Sequence, residues 1–158
     1  MSDVIGENRR GYPISPITGH FLQALKWNIE EKLQGRSNEI NPPGLIGMLS
    51  SILTDAHQSF YLEGYPINLH INPITAIQTR RMVIESYARA TQKPYPSTMD
   101  EQERIVRELI FWTESLQENR EITLQARPHY EELAKTIGAI ASRVDYSPGS
   151  CMRDDKDD

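Results

Sequence analysis

The sequence predicts an all-α domain of four to five helices, with proline-rich extended connections and non-helical arms at its N- and C-terminal ends. Three observations lead there. Proline recurs in groups (Pro13 and Pro16, Pro42 and Pro43, Pro66 and Pro73, Pro94 and Pro96, then Pro128 and Pro148), and the stretches between the groups are of helix length. Inside those stretches apolar residues return every three or four positions, the period of a helix face. A strand-like period of two appears at Ile67, Leu69 and Ile71, where one short hairpin is possible.

Residues 1–14 form a polar extended arm, residues 15–146 the helical domain, and residues 147–158 an acidic tail with Asp154, Asp155, Asp157 and Asp158. The first helix is expected over 16–34. Ile17, Phe21, Leu25, Ile29 and Leu33 follow one another at four-residue spacing. Ser15 can cap the free N–H groups, Pro16 suits a first turn whose N–H has no partner anyway, and Gly35 stands where a left-handed residue ends a helix. The second helix, 43–62, is apolar on more than one side through Leu45, Ile46, Met48, Leu49, Ile52, Leu53, Ala56 and Phe60, which marks a central position. Gly44 and Gly47 weaken its start by about 1 kcal/mol each against alanine unless another backbone packs close there. The third, 73–91, has Asn72 as cap and Pro73 at its first position. Ile74, Ile77, Ile84 and Ala88 mark its apolar side, and Arg80, Arg81 and Arg89 its polar one.

Thr98 and Glu101 stand at capping-box spacing before the fourth helix, with Asp100, Glu101 and Glu103 favouring the positive N-terminal end. From Ile105 a seam runs through Leu109, Trp112, Leu116, Asn119, Thr123, Ala126, Tyr130, Leu133, Ile137, Ile140 and Val144 by alternating steps of four and three, a coiled-coil heptad pattern. Its middle is weak, and Pro128 breaks the hydrogen-bond ladder. The expectation is two helices, 98–126 and 128–145, either stacked with a kink or folded back as a hairpin.

The chain has 158 residues, of which 38% are hydrophobic and 25% charged, with a net charge of −5 and one cysteine. That is enough chain to bury a core without disulfides, and charge of that density excludes a wholly disordered polymer. No apolar run approaches the roughly 20 residues that span a bilayer. The polar start with its acids speaks against a secretory signal, and the unpaired Cys151 suits a reducing, cytoplasmic setting. Charge is uneven: residues 1–79 hold 5 Lys/Arg and 7 Asp/Glu, whereas 80–158 hold 12 and 15. A possible internal repeat joins Gly11-Tyr12-Pro13-Ile14 to Gly64-Tyr65-Pro66-Ile67, each followed by a capped Pro-Ile-Thr helix start. In either copy the tyrosine, Tyr12 or Tyr65, is expected to pack against its own helix or a neighbouring chain.

Chemical motifs are scarce. The nine glycines form no phosphate-binding loop, and His20, His57, His70 and His129 have no metal-ligand spacing. Asp55 and His57, two apart, lie on different helix faces. Glu30 and Glu31 with His57 and Glu63 make the best constellation for a helical metal-dependent hydrolase. Ordinary solvated acids are the simpler reading, because of two adjacent glutamates only one can face inward. Cys151, in a Ser-Pro-Gly-Ser tail, has nothing to activate it as a nucleophile. No cofactor and no metal are expected. Phe111 and Trp112 are adjacent on a helix, as are Ile105 and Val106, and Leu109 and Ile110, so one of each pair points away from a single core. Val106, Ile110, Phe111 and Trp112 are therefore expected to be covered by another chain, and the protein to be a non-catalytic structural or assembly subunit of a homo-oligomer or hetero-assembly, such as a viral particle or connector. The second reading is a regulatory module that holds an anionic ligand or nucleic acid through Arg80, Arg81 and Arg89.

Overall fold

In the computed structural model, residues 14–36, 43–62, 73–118 and 121–143 are described. They form five helices: α1 (Pro16–Leu33), α2 (Pro43–Leu62), α3 (Pro73–Thr91), α4 (Met99–Ser115) and α5 (Arg127–Ala141), with a 3-10 turn at Leu116–Glu118. Among the described residues there is no strand. The Ile67–Ile71 alternation, Tyr12, Tyr65, Glu63, His70, Cys151, residues 1–13 and the acidic tail lie outside them, whereas Ile14, expected to end the polar arm, is buried in the core.

Local chemistry sets several helix ends. The Ser15 side chain accepts a hydrogen bond from Thr18 N at 3.1 Å, and Pro16 occupies the first turn. At the other end Gly35 adopts φ +73°, Gly35 N donates to Lys32 O at 3.1 Å and Arg36 N to Glu31 O at 2.9 Å, the paired bonds of a Schellman stop. The same two bonds close α3, from Gln92 N to Arg89 O and from Lys93 N to Ala88 O, but here the left-handed residue is Gln92 with φ 58°. A side chain costs roughly 1 kcal/mol in that conformation. Gln92→Gly is therefore expected to raise stability by about 0.5–1 kcal/mol in denaturant titrations, the gain trimmed by the greater freedom of unfolded glycine.

Helix α2 packs against α1, α3 and α4, which explains its apolar residues on several sides. Gly44 and Gly47 are exposed and a Cβ at either would meet nothing within 4 Å, so no close backbone approach requires them. Gly47→Ala should stabilise the protein by up to about 1 kcal/mol. Helix α3 lies between α2 and α5 and is buried nearly all round, with Ala76, Thr79, Met82, Val83, Ile84, Ser86 and Ala88 inside. Buried Thr79 is satisfied locally, its Oγ1 donating to Thr75 O at 2.8 Å. Arg80, assigned to the polar side of this helix, is also buried.

The expected 98–126 helix ends much earlier, at Ser115. Beyond it the seam positions Asn119 and Thr123 offer no apolar contact to prolong a helix, and Leu116, buried at the turn, anchors the exit. Thr123 Oγ1 then accepts from Ala126 N at 3.1 Å, a side-chain turn that leads into α5, and Pro128 sits in the first turn of α5, where it breaks nothing. The two helices are thus separate elements. Their join is aromatic: Trp112 stacks on His129 with centroids 4.5 Å apart and planes 10° from parallel, and meets Tyr130 edge-on at 5.3 Å.

Helix α5 runs antiparallel to α1. Arg127, at its start, donates to Leu33 O at the end of α1 at 2.6 Å, while Gly138 lies beside Lys26. Tyr130, Leu133, Ile137 and Ile140 of the seam are buried within this one chain, so no second helix is needed to cover them.

Candidate functional site

Helix α1 carries apolar side chains on two opposed faces. Its core face holds Leu22, Leu25, Ile29 and Leu33. Four-residue steps rotate by roughly 40° each, so a run from Ile17 to Leu33 turns through about 160° and cannot stay on one side. Ile17, Phe21 and Trp27 accordingly lie outside, exposed by 67%, 38% and 59%. On a helical projection Ile17, His20, Phe21, Ala24 and Trp27 share an arc of about 120°, a continuous stripe facing away from the core. His20 extends it by tilted ring contact with Phe21 at 5.9 Å. Close to the stripe the charges are neutralised: Lys26 Nζ donates to Glu30 at 2.7 Å, and Arg36 Nη2 to Glu31 at 2.7 Å.

Of the residues expected to meet another chain, Val106 is fully buried and Ile110 packs half-buried against the same core. The reasoning from adjacent pairs assumed one core contact per helix, but α4 touches α2, α3 and α5 and so buries neighbouring positions at once. Phe111 does remain exposed, edge-on to the half-buried Trp112 at 4.9 Å. Leu124, in the turn before α5, is 86% exposed.

Arg80, Arg81 and Arg89 do not form one surface. Arg81 and Arg89 are exposed, whereas Arg80 is 9% exposed with its guanidinium 4.9 Å above the Phe60 ring. A nine-residue separation puts Arg80 about half a rotation from Arg89. The acids considered for metal binding are likewise apart: Glu30 pairs with Lys26, Glu31 with Arg36, and His57 with Glu103 of α4. Among the described residues no three His, Cys, Asp or Glu side chains are grouped so as to hold a metal ion.

The contact between His57 and Glu103 joins α2 to α4. The His57 ring Nε2–H donates to Glu103 Oε2 at 2.8 Å, Tyr61 OH donates to the same oxygen at 3.4 Å, and Arg107 lies 3.3 Å from Oε1. The His57 hydrogen bond, with the Arg107 charge and the Tyr61 hydroxyl assisting, holds the Glu103 carboxyl below the usual carboxylate range against the opposing effect of burial. A carboxylate depressed in the folded state stabilises the fold above its unfolded titration point, and the benefit is lost as pH falls through the folded one. Glu103→Gln should therefore cost about 0.5–1 kcal/mol at neutral pH and nothing in strong acid, seen as a flatter acid limb of stability against pH. Separated by 46 positions, His57 and Glu103 give no sequence signal of this contact.

A groove of about 560 Å³ opens where the 93–98 connection crosses α3 and α4, lined by Tyr87, Lys93, Tyr95, Glu101, Arg104 and Ile105. Its cations are already matched. Lys93 pairs with Glu132 at 3.3 Å, and Arg104 with Glu101 and Glu108 at 2.7 and 2.9 Å. Thr98 caps α4 by accepting from Glu101 N at 3.1 Å, while the Glu101 carboxylate turns to Arg104, so only half of the capping box forms. Thr98→Ala should cost about 1 kcal/mol in chemical denaturation.

Comparison with known proteins found no matching family, curated protein or solved structure. Among the described residues no helix is long and apolar enough to cross a membrane.

Proposed function

We propose that the chain is a non-catalytic structural subunit that assembles with further copies of itself through the outer face of α1. One observation carries this reading: the aligned exposure of Ile17, Phe21 and Trp27 opposite a fully formed core face. Large apolar side chains left singly on a surface need no explanation, but two aromatics and an isoleucine on one helical arc form a contiguous patch of the kind that marks an interaction surface. A second copy is a suitable occupant because the charges on and beside the stripe are paired within the chain: Glu31, on the same arc one turn past Trp27, with Arg36, and Lys26 with Glu30. Two such faces can meet without setting like charges together. Exposed Phe111 and Leu124 supply further apolar contact at the junction of α4 and α5.

Trp27 reports on this directly. In a Trp112→Phe background it is the sole tryptophan, since the sequence has two. Acrylamide quenching of its fluorescence should fall as protein concentration rises and the face becomes covered. Quenching independent of concentration over the micromolar to millimolar range would rule the reading out. The alternative, a broad anionic-partner surface of Arg80, Arg81 and Arg89, draws less support because Arg80 is buried. The hydrolase alternative needs carboxylates that are instead held in separate ion pairs.

A further inference from the structure

The outer face of α1 carries one histidine and one glutamate at a spacing that a second copy can use. On the helical projection Ala24 lies at the middle of the stripe. Trp27, His20 and Glu31 fall within about 60° of it on one side, and Ile17 and Phe21 on the other. His20 is exposed and has no charged neighbour one turn away on α1, where Pro16, Ile17, Gln23 and Ala24 stand. Glu31 is half-buried, and Arg36 Nε donates to its Oε1 at 3.1 Å and Arg36 Nη2 to its Oε2 at 2.7 Å. The Arg36 hydrogen bond keeps the Glu31 carboxyl below the usual carboxylate range, burial opposing it and the Arg36 charge assisting. A carboxylate offers about four acceptor positions, so Arg36 leaves room for a further donor.

Two copies of one face meet about a two-fold axis, so that residue i touches j and j touches i. With the axis along the helices the two α1 segments run parallel, and every residue meets its own twin: His20 on His20, Glu31 on Glu31. The helix dipoles then also lie side by side in the same sense. With the axis across the helices they run antiparallel, and residues pair about a midpoint. The midpoint between Ala24 and Trp27 is also the midpoint between His20 and Glu31. One antiparallel register therefore lays each Trp27 ring beside the small Ala24 of the other copy and each His20 imidazole beside the other copy's Glu31. Parallel pairing offers neither match.

We propose that two copies associate with their α1 helices antiparallel in this register, His20 of each donating to Glu31 of the other, and that acid tightens the contact. The arrangement rests on the reading of α1 as an assembly face. Histidine side chains take up their proton between about pH 8 and 5, where the Glu31 carboxylate stays ionised. Across the contact His20 meets Glu31 and the Arg36 that shares its carboxylate; no other charged residue of α1 lies on that arc. A proton on His20 turns a neutral hydrogen bond into a charge-assisted one. The associated form thus binds that proton more tightly than the free chain, so the gain is present in mild acid and is lost as pH rises.

Two measurements on the full chain test this. In a Cys151→Ser background, His20→Cys chains mixed with Glu31→Cys chains are treated with a short bis-maleimide cross-linker. Linked dimers are expected in the mixture and in neither chain alone, because this register holds like positions 11 residues, or about 16 Å, apart along the axis. Sedimentation equilibrium of the wild-type chain should show association tightening about three- to tenfold from pH 8 to pH 5.5, and His20→Gln should remove that gain. His20→Lys should tighten association at pH 8, whereas parallel helices would bring two ammonium groups together and weaken it. Cross-linking of either variant to itself, or a His20→Gln chain that responds to pH as wild type does, overturns the arrangement and leaves the α1 reading standing. A wild-type chain that keeps the single-chain mass at every concentration and pH overturns both.

Discussion

Replacing Phe21 and Trp27 together with glutamate is expected to weaken self-association at least a hundredfold while leaving the fold intact. Interface aromatics typically contribute about 2 kcal/mol or more each when removed from a covered patch, and the two occur on both sides of a symmetric contact. Glutamate adds like charges that must face each other across it. The core should hardly register the change, because Trp27 projects opposite Leu22, Leu25 and Ile29, which are fully buried, while Phe21, one step of roughly 40° from Leu25, sits exposed at the rim of that face. A helix interior accepts glutamate readily, so the thermal midpoint of the dilute variant should match that of dilute wild type. If the variant loses helical content or melts far lower, the α1 outer face is part of the monomer's core, and its exposure has been misread.

The largest loss of stability should come from Ile137→Ala. Ile137 is fully buried on α5, between Leu133 and Ile140 along the helix, and α5 is held by both α1 and α3. The cavity left there is walled by three helices that cannot all close on it, so a cost of about 2–5 kcal/mol is expected in urea or guanidinium titrations. Against a total of about 5–15 kcal/mol for a domain of ordinary stability, that is a large fraction. The next residue provides an internal control. At Gly138 a Cβ would approach the Lys26 Cε and Cδ atoms to 2.8 and 2.9 Å, but these belong to the free end of a flexible chain that can swing aside. Alanine also gains up to about 1 kcal/mol of helix propensity, so Gly138→Ala should be close to neutral. A large loss at 138 and a small one at 137 would invert the packing described between α1 and α5.

What could be read from the sequence was what local chemistry decides. Ser15, Pro16, Gly35 and Thr98 act on atoms within a few residues of themselves, and each sits at a helix end as its type requires. Helix count and the bounds of α2 and α3 followed from the same punctuation. Faces were harder. The four-residue run in α1 joined Ile17 and Phe21 to Leu25 although its drift of roughly 40° per step takes Ile17 off the core face and leaves Phe21 at the rim, and it passed over Leu22. Arg80 read as solvated because arginine usually is; its burial under Phe60 is decided by α2, which α3's own pattern cannot reveal. Val106 and Ile110 read as surplus because a helix with three packed neighbours differs from one with a single neighbour only in tertiary structure. The end of α4 at Ser115 was missed for want of a proline or glycine there. The stop is made instead by an apolar seam that runs out at Asn119 and by a threonine turn at Thr123. Of the surface carrying the proposed function, the residues were visible in the sequence, but their exposure was not.

Sedimentation equilibrium of the intact chain across a hundredfold range of concentration tests the central claim most directly. The chain's mass is 18.1 kDa. The expected result is an average mass of at least twice that value at the upper end, falling toward it on dilution and staying at the monomer value throughout for the Phe21→Glu, Trp27→Glu variant. A wild-type mass that stays at the single-chain value at every concentration would contradict it.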